Sequence, residues 1–225
     1  MRIIDPSHKI LFMPNSSSIL KLIERIGRTC YKSEDKTREG SAASFVDRLI
    51  RSGHHSVIEH TLLTVHFVCD RGVSHELVRH RLASYSQEST RYVNYANNKF
   101  GNEITVIRPY FWSQDSAAYQ TWLEAMNQAE KSYLRLIQLG ARPEEARSVL
   151  PNSLKTELIV SCNIREWRHI FSLRCSAQAH PQIRQLMQPL LTEMQRRLPV
   201  FFDDLDENNE KEQKGWNKPV DSSSN

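Results

Sequence analysis

Apolar positions along the chain follow two periods. Ile19, Leu22, Ile23, Ile26 and Cys30 recur at helical spacing, and Ser16 to Ser18 offer caps before them. Phe45, Val46, Leu49 and Ile50 predict a second amphipathic helix, ended near Gly53. Between residues 60 and 70 the period changes to two. Leu63, Val65, Phe67 and Cys69 alternate with Leu62, Thr64, His66 and Val68, which predicts a strand with one face more apolar than the other. A short helix is expected from Gly72 to about Leu82, an irregular polar loop over Ser84 to Tyr92, and a strand over Ile104 to Ile107 stopped by Pro109. The longest helical stripe runs through Ala118, Trp122, Ala125, Met126, Ala129, Tyr133, Leu136 and Ile137, closed by Gly140. Pro143 opens a short helix that carries Arg147 and stops before Pro151. Leu154, Thr156, Leu158, Val160 and Cys162 alternate as a second strand. A helix over about 165–175 follows, then a last helix from Pro181 to Leu198 with a kink at Pro189. Met1 to Asp5 reads as a short strand.

The sum is an α+β fold: a mixed or antiparallel sheet flanked by helices, with too few alternating βα units for a doubly wound nucleotide fold. Its 225 residues suit a single α+β domain over 1–202 and a polar tail over 203–225. The tail holds too little apolar surface to order itself and is expected to be disordered. No apolar run reaches the roughly 20 residues of a membrane-spanning helix, and the N-terminus lacks a signal core. A cytoplasmic location is the expectation. Cys30, Cys69, Cys162 and Cys175 lie far apart with no C-x-x-C pair, as expected of reduced structural cysteines rather than disulfides or a zinc site.

Charge changes the picture. The net balance is a modest +4, but arginines cluster at Arg71, Arg79, Arg81 and Arg91, and again at Arg142, Arg147, Arg165, Arg168 and Arg174. Guanidinium groups recognise phosphate and carboxylate by planar, paired hydrogen bonds. The densest stretch is Arg79-His80-Arg81-Leu82-Ala83-Ser84-Tyr85-Ser86-Gln87-Glu88-Ser89-Thr90-Arg91-Tyr92. It has no apolar periodicity and reads as an anion-binding loop of guanidinium forks and hydroxyl donors.

Arg-His-Arg followed by seven residues and Ser89, then Arg91-Tyr92, resembles the signature of the flavin-dependent thymidylate synthases. Three further blocks resemble that family in the right order: Gly53-His54-His55-Ser56-Val57-Ile58-Glu59-His60, Ala146-Arg147-Ser148-Val149-Leu150-Pro151, and Asn163 through Arg174. The resemblance implies reductive methylation of dUMP to dTMP, with 5,10-methylenetetrahydrofolate as carbon donor, NADPH as reductant and hydride delivered through FAD. It implies that Arg79 binds dUMP, assisted by Glu76, Leu77 and Val78. Arg79, His80 and Arg81 would also line the flavin. Gln87, Glu88, Ser89, Thr90 and Arg91 would form the nucleotide-phosphate loop, with Ser89 nearest the reacting base and Gln87 also touching the cofactor. Ser56, Glu59, Asn163, Arg165 and His169 would contact FAD. Arg147 and Arg174 would contact dUMP, with Arg174 at the uracil. A homotetramer, formed through helices and sharing active sites between subunits, is implied too. Where the family often has Asn-Glu, this chain has Ser86-Gln87, so the contact at Gln87 departs from the pattern.

Spacing on the last block agrees. Arg165 and His169 share one helix face. Arg174 continues the stripe of Trp167, Ile170 and Phe171, where a charge is costly unless an ion or an anionic ligand meets it. Ser89 and Arg174 are the expected catalytic residues, Arg174 by stabilising negative charge developing on the base. Other readings compete. His55, Glu59 and His60 miss the H-x-x-E-H spacing of a zinc site by one residue, so no metal is expected. Cys175 beside Arg174 could be a lowered-pKa thiol, though no base partner is evident. A non-catalytic, arginine-rich nucleic-acid-binding module is the alternative from a different class; the small net charge speaks against it. His66 and His75 read as satisfied structural histidines, and Trp122 as core or subunit interface. For Tyr92 and Tyr95 the sequence leaves two readings open, core residue or neighbour of the ligands.

Overall fold

The computed structural model describes residues 1–98 and 101–205; most of the expected tail lies outside them. The chain divides into two compact units, each assembled from separated segments. The first comprises Met1–Met13, Leu63–Cys162 and Pro181–Leu186; the second comprises Pro14–Leu62, Asn163–His180 and the chain from Met187.

The first unit is built on strands. β1 (Arg2–Ile4) pairs in parallel with β5 (Thr105–Ile107). β2 (Ser7–Phe12), β3 (Leu62–Asp70), β6 (Lys155–Asn163) and β4 (Ser84–Gln87) form a four-stranded sheet in the order β2-β3-β6-β4. β2 is antiparallel to β3, and β4 to β6. Between β3 and β6, Thr64 meets Ser161 and His66 meets Glu157. Partners descend along one strand as they ascend the other, the sense of antiparallel neighbours. The alternation expected of β3 and β6 holds. Leu63, Val65, Phe67 and Cys69 are buried, as are Thr156, Leu158, Val160 and Cys162. A further core gathers Tyr95, Ile104, Val106, Tyr119, Trp122, Met126, Tyr133, Ala146 and Leu154. Tyr119, Trp122, Met126 and Tyr133 come from α4 (Ala117–Gln138), whose end turns at Gly140 with φ 92°. The Trp122 indole N–H donates to Ser153 Oγ at 3.0 Å, satisfying its polar edge inside this core.

The second unit is helical. α1 (Ser16–Tyr31) packs on α2 (Ser41–Arg51) through Gly27, where a Cβ would lie 2.8 Å from both Leu49 and Phe45. A 3-10 turn over His55–His60 buries Val57 and Ile58 and packs against α1 and α6 (Ile164–Arg174). On α6, Trp167, Ile170 and Phe171 are fully buried. Phe171 meets Phe202 edge-on at 5.7 Å.

Several expectations need correction. Asn15, not a serine, caps α1: its side chain accepts from Ser18 N–H at 2.8 Å. β2 was not expected. It is a short edge strand after Pro6 with a bulge between Ile10 and Phe12, and it has no deeply buried side chain to mark its period. The helix expected to reach Leu82 is α3 (Arg71–Leu77) and ends a turn early. Part of the polar loop over 84–92 is strand β4, whose serines hide an edge partner of β6. The helix expected to carry Arg147 is α5 (Pro143–Ala146); Arg147 opens the 3-10 turn after it (Arg147–Val149), and the strand and helix that follow stand as expected. α7 (Pro181–Arg197) runs through Pro189 but is not last, because α8 (Pro199–Phe202) follows. Asp204 accepts two hydrogen bonds from Arg168, and Leu205 is buried, so residues 203–205 belong with the folded chain.

Candidate active site

In the first unit, the Arg79–Tyr92 stretch takes its shape from local hydrogen bonds. Asp70 caps α3 by accepting from Val73 N–H at 2.7 Å. Glu76 and Leu77 lie in its last turn; Leu77 is buried, Val78 and Arg79 are exposed, and His80 is buried. The Tyr85 hydroxyl lies 2.8 Å from the Leu77 carbonyl oxygen and 2.7 Å from that of His80, sharing its proton between them. This staples the turn from which Arg79, Arg81 and Leu82 project; Leu82 is 77% exposed.

β4 then delivers the chain to Gln87. The Gln87 amide donates to Ser74 Oγ at 2.9 Å and Thr156 Oγ1 at 3.2 Å, and the Glu88 N–H donates to the Glu157 carbonyl at 2.9 Å. Past this anchor, Ser89 organises a turn. Its carbonyl accepts from Val93 N–H at 3.0 Å and its Oγ from Arg91 N–H at 3.3 Å. Arg147 Nη1 reaches across from the turn after α5 to donate to Thr90 Oγ1 at 3.4 Å, and Arg91 Nε lies 3.9 Å from Glu144. Residues far apart in sequence thus meet at this turn: the exposed Arg147 guanidinium reaches the buried Thr90 hydroxyl, and the exposed Arg91 guanidinium lies toward Glu144, while the Arg91 backbone N–H holds the half-buried Ser89 hydroxyl. Tyr92, 80% exposed, stacks loosely under Arg91 at 5.5 Å.

Sequence reasoning missed the polar network below this turn. Lys155 Nζ donates to Glu88 Oε2 at 3.0 Å and to Glu157 Oε1 at 2.5 Å. Glu157 Oε2 meets His66 Nε2 at 2.9 Å, so His66 is satisfied within the fold as expected. Tyr95 donates to Glu88 Oε1 at 3.4 Å. Burial, then the charge of Glu88, pushes the Tyr95 phenol up, so it stays protonated and a donor. Burial alone would lower Lys155; its hydrogen bonds to Glu157 and Glu88 outweigh this and raise it. The available signal was Lys155 and Glu157 on one face of a strand, an i, i+2 ion pair.

In the second unit, Asn163 caps α6 by accepting from Glu166 N–H at 2.9 Å. The Arg165 guanidinium donates to Glu59 at 2.6 Å, bringing together the second and last sequence blocks. Both side chains remain open to solvent, at 54% and 43%. His169 is exposed one turn beyond Arg165, and Ser56 is exposed on the turn that holds Glu59. Arg174 is half-buried at the end of the Trp167 stripe. Not every arginine of the cluster is open to a ligand. Arg168 is buried, paired through both nitrogens with Asp204 at 2.7 Å and bonded to the Phe201 carbonyl. Arg142 is engaged by Glu144 and Glu145. Among the described residues, no group of three or more His, Cys, Asp or Glu could hold a metal, and no helix is long and apolar enough to cross a membrane.

The exposed guanidinium groups of Arg91, Arg147 and Arg165 on this mixed α and β fold have the donor chemistry that suits anionic groups. The family follows from the sequence: residues 14–200 match the thymidylate synthase complementing protein family, and the chain belongs to it. The flavin-dependent thymidylate synthase of Geobacter sulfurreducens is 36% identical over 203 residues, covering 87% of this chain and 86% of that protein. The enzyme of the same name from Pyrococcus furiosus is 34% identical over 177 residues, 78% and 72% of the two chains. That from Corynebacterium aurimucosum is 34% identical over 201 residues, 81% and 78%. The protein is therefore an enzyme of the flavin-dependent thymidylate synthase family. Its fold is shared with a UMP/dUMP methylase, PolB from Streptomyces cacaoi, bound with 5-Br dUMP. The TM-score is 0.73 at 23% identity, over 90% of this chain and 96% of that one.

Proposed function

We propose that the protein converts dUMP to dTMP in the cytoplasm, with 5,10-methylenetetrahydrofolate as carbon donor and NADPH as reductant, and that it works as a homotetramer with active sites shared between subunits. The observation that carries the reading is the meeting of the Ser89–Arg91 turn with Arg147. Two guanidinium groups and two hydroxyls there match the acceptors of a nucleotide monophosphate. In this reading Arg147, Arg91, Thr90 and Ser89 hold the phosphate. Arg79, with Glu76, Leu77 and Val78, borders the nucleotide.

The residues of the second unit fit FAD by their donor chemistry. Arg165 gives one N–H direction to Glu59 and keeps others open, and His169 and Ser56 add an imidazole and a hydroxyl. Asn163 holds the start of α6, so its contribution is to fix the face that carries Arg165 and His169. His80, Arg81 and Gln87 of the first unit are further proposed cofactor contacts; Arg81 is exposed, His80 is buried, and the Gln87 amide is engaged by Ser74 and Thr156. When bound, the flavin supplies the hydride chemistry. The chain's own task is to orient the nucleotide, exclude water and hold charge.

Carbon 5 of uracil must gain electron density before it can accept a one-carbon unit. The Cys69 thiol is buried, and burial followed by the charge of Asp70 pushes it well above the ordinary thiol range, so it offers no thiolate. Arg174 is assigned the alternative: its fixed positive charge stabilises negative charge developing on the base. The test is spectroscopic. Purified protein should show flavin absorption that bleaches with NADPH, and dUMP should bind at micromolar levels. Salt-sensitive oligonucleotide binding by a protein without flavin would overturn the proposal in favour of a nucleic-acid-binding role.

A further inference from the structure

Below the Ser89 turn, one ammonium group joins two carboxylates. Lys155 and Glu88 are nearly enclosed, their side chains 19% and 15% exposed. All four carboxylate oxygens of Glu88 and Glu157 have partners: Lys155 and Tyr95 for Glu88, Lys155 and His66 for Glu157. Burying such a group is a poor way to gain stability, because desolvation consumes most of the attraction, and two carboxylates at one ammonium repel. What it does supply is a single geometry. Glu88 immediately precedes Ser89, and its own N–H is bonded to the Glu157 carbonyl. Its backbone and its side chain are thereby held to the same strand, β6, at two points. A methionine at 155 would fill the volume and leave the Glu88 carboxylate without its cation.

We propose that Lys155 is a positioning residue for the nucleotide-binding turn. It holds Glu88 as a tether rather than as a ligand contact, and so presents Ser89, Thr90 and Arg91 to Arg147. The proposal rests on the reading of that turn as the dUMP phosphate site. A tether that pre-shapes a binding turn acts on substrate capture more than on the step after it, because saturating ligand can itself order the turn.

The experiment uses the full-length, flavin-loaded protein and dUMP as probe, with calorimetric affinity and steady-state rates for Lys155→Met, Glu88→Gln, their double variant and Lys155→Arg. For Lys155→Met we expect dUMP affinity to fall about tenfold, with kcat at saturating dUMP within about threefold of wild type and flavin content unchanged. The double variant should bind as weakly as Lys155→Met, not as the product of the two singles, because both remove one interaction. Lys155→Arg, which keeps the charge, should recover affinity to within about threefold. Should Lys155→Met fold poorly from its unpaired carboxylates, the double variant carries the test, since it leaves Glu88 uncharged. Wild-type affinity and KM in a folded double variant overturn the tether while leaving the functional reading intact. A wild-type protein that does not bind dUMP overturns both.

Discussion

Arg174 and Arg147 carry the most specific consequences at the scale of single residues. Replacing Arg174 by alanine should abolish turnover while flavin remains bound, because its assigned work is charge on the base; full activity in that variant removes it from the mechanism. Arg147→Ala should weaken dUMP binding by about 10- to 100-fold, the worth of one or two charge-assisted hydrogen bonds, with the loss read in KM. The thiols give an independent check. Cys30 is exposed, whereas Cys69, Cys162 and Cys175 are buried. One thiol should therefore react quickly with a disulfide reagent in the native protein, and the others only on unfolding. Cys175→Ala should keep its activity; loss of turnover with flavin bound would revive the thiol reading.

At the scale of elements, two contacts carry predictions for stability. Gly27 lets α1 approach α2. Alanine there gains roughly 1 kcal/mol of helix propensity but meets Leu49 and Phe45 at 2.8 Å. The Phe45 ring is covered by Arg28 at 4.4 Å and cannot swing away freely. Overpacking costs about 1–3 kcal/mol, so Gly27→Ala should destabilise in urea melts. Arg168 ties α6 to the segment after α8. Arg168→Leu should cost about 3 kcal/mol, and Asp204→Asn less, since Asp204 is the more exposed partner. These elements also show what the sequence could reveal. β3, β6, α4 and α6 bury alternating or stripe residues, so their period marks them. β2 and β4 are edge strands with polar or half-exposed side chains, and only pairing with a neighbour defines them. The site divides the same way. The arginine-rich blocks are visible as composition, but nothing local separates Arg168, which is buried and serves an internal carboxylate, from the exposed Arg165 three positions earlier. Lys155 was hidden because its partner Glu88 lies 67 positions away.

At the scale of the whole molecule, pH acts through groups held away from their ordinary values. The Lys155 hydrogen bond, against burial, holds Glu157 down. Burial would raise Asp204, but the hydrogen bonds and charge of Arg168 lower it. Both contributions are complete above the ordinary carboxylate range, about 4, and are lost as pH falls through the lowered values. The raised Lys155 contributes fully below about pH 10 and loses that contribution only as pH rises through its folded value. Melting temperature should thus be insensitive to these groups near neutrality and should fall on the acid side. Asp204→Asn should flatten that acid limb; an unchanged limb would remove the Arg168–Asp204 pair from the account. The central claim, that this fold methylates dUMP with a flavin, is tested most directly by product formation. Purified protein is incubated with dUMP, 5,10-methylenetetrahydrofolate and NADPH, with and without FAD, and dTMP is measured by mass. The account predicts dTMP that depends on FAD and disappears with Arg174→Ala. Flavin-loaded protein that binds dUMP and makes no dTMP would contradict it.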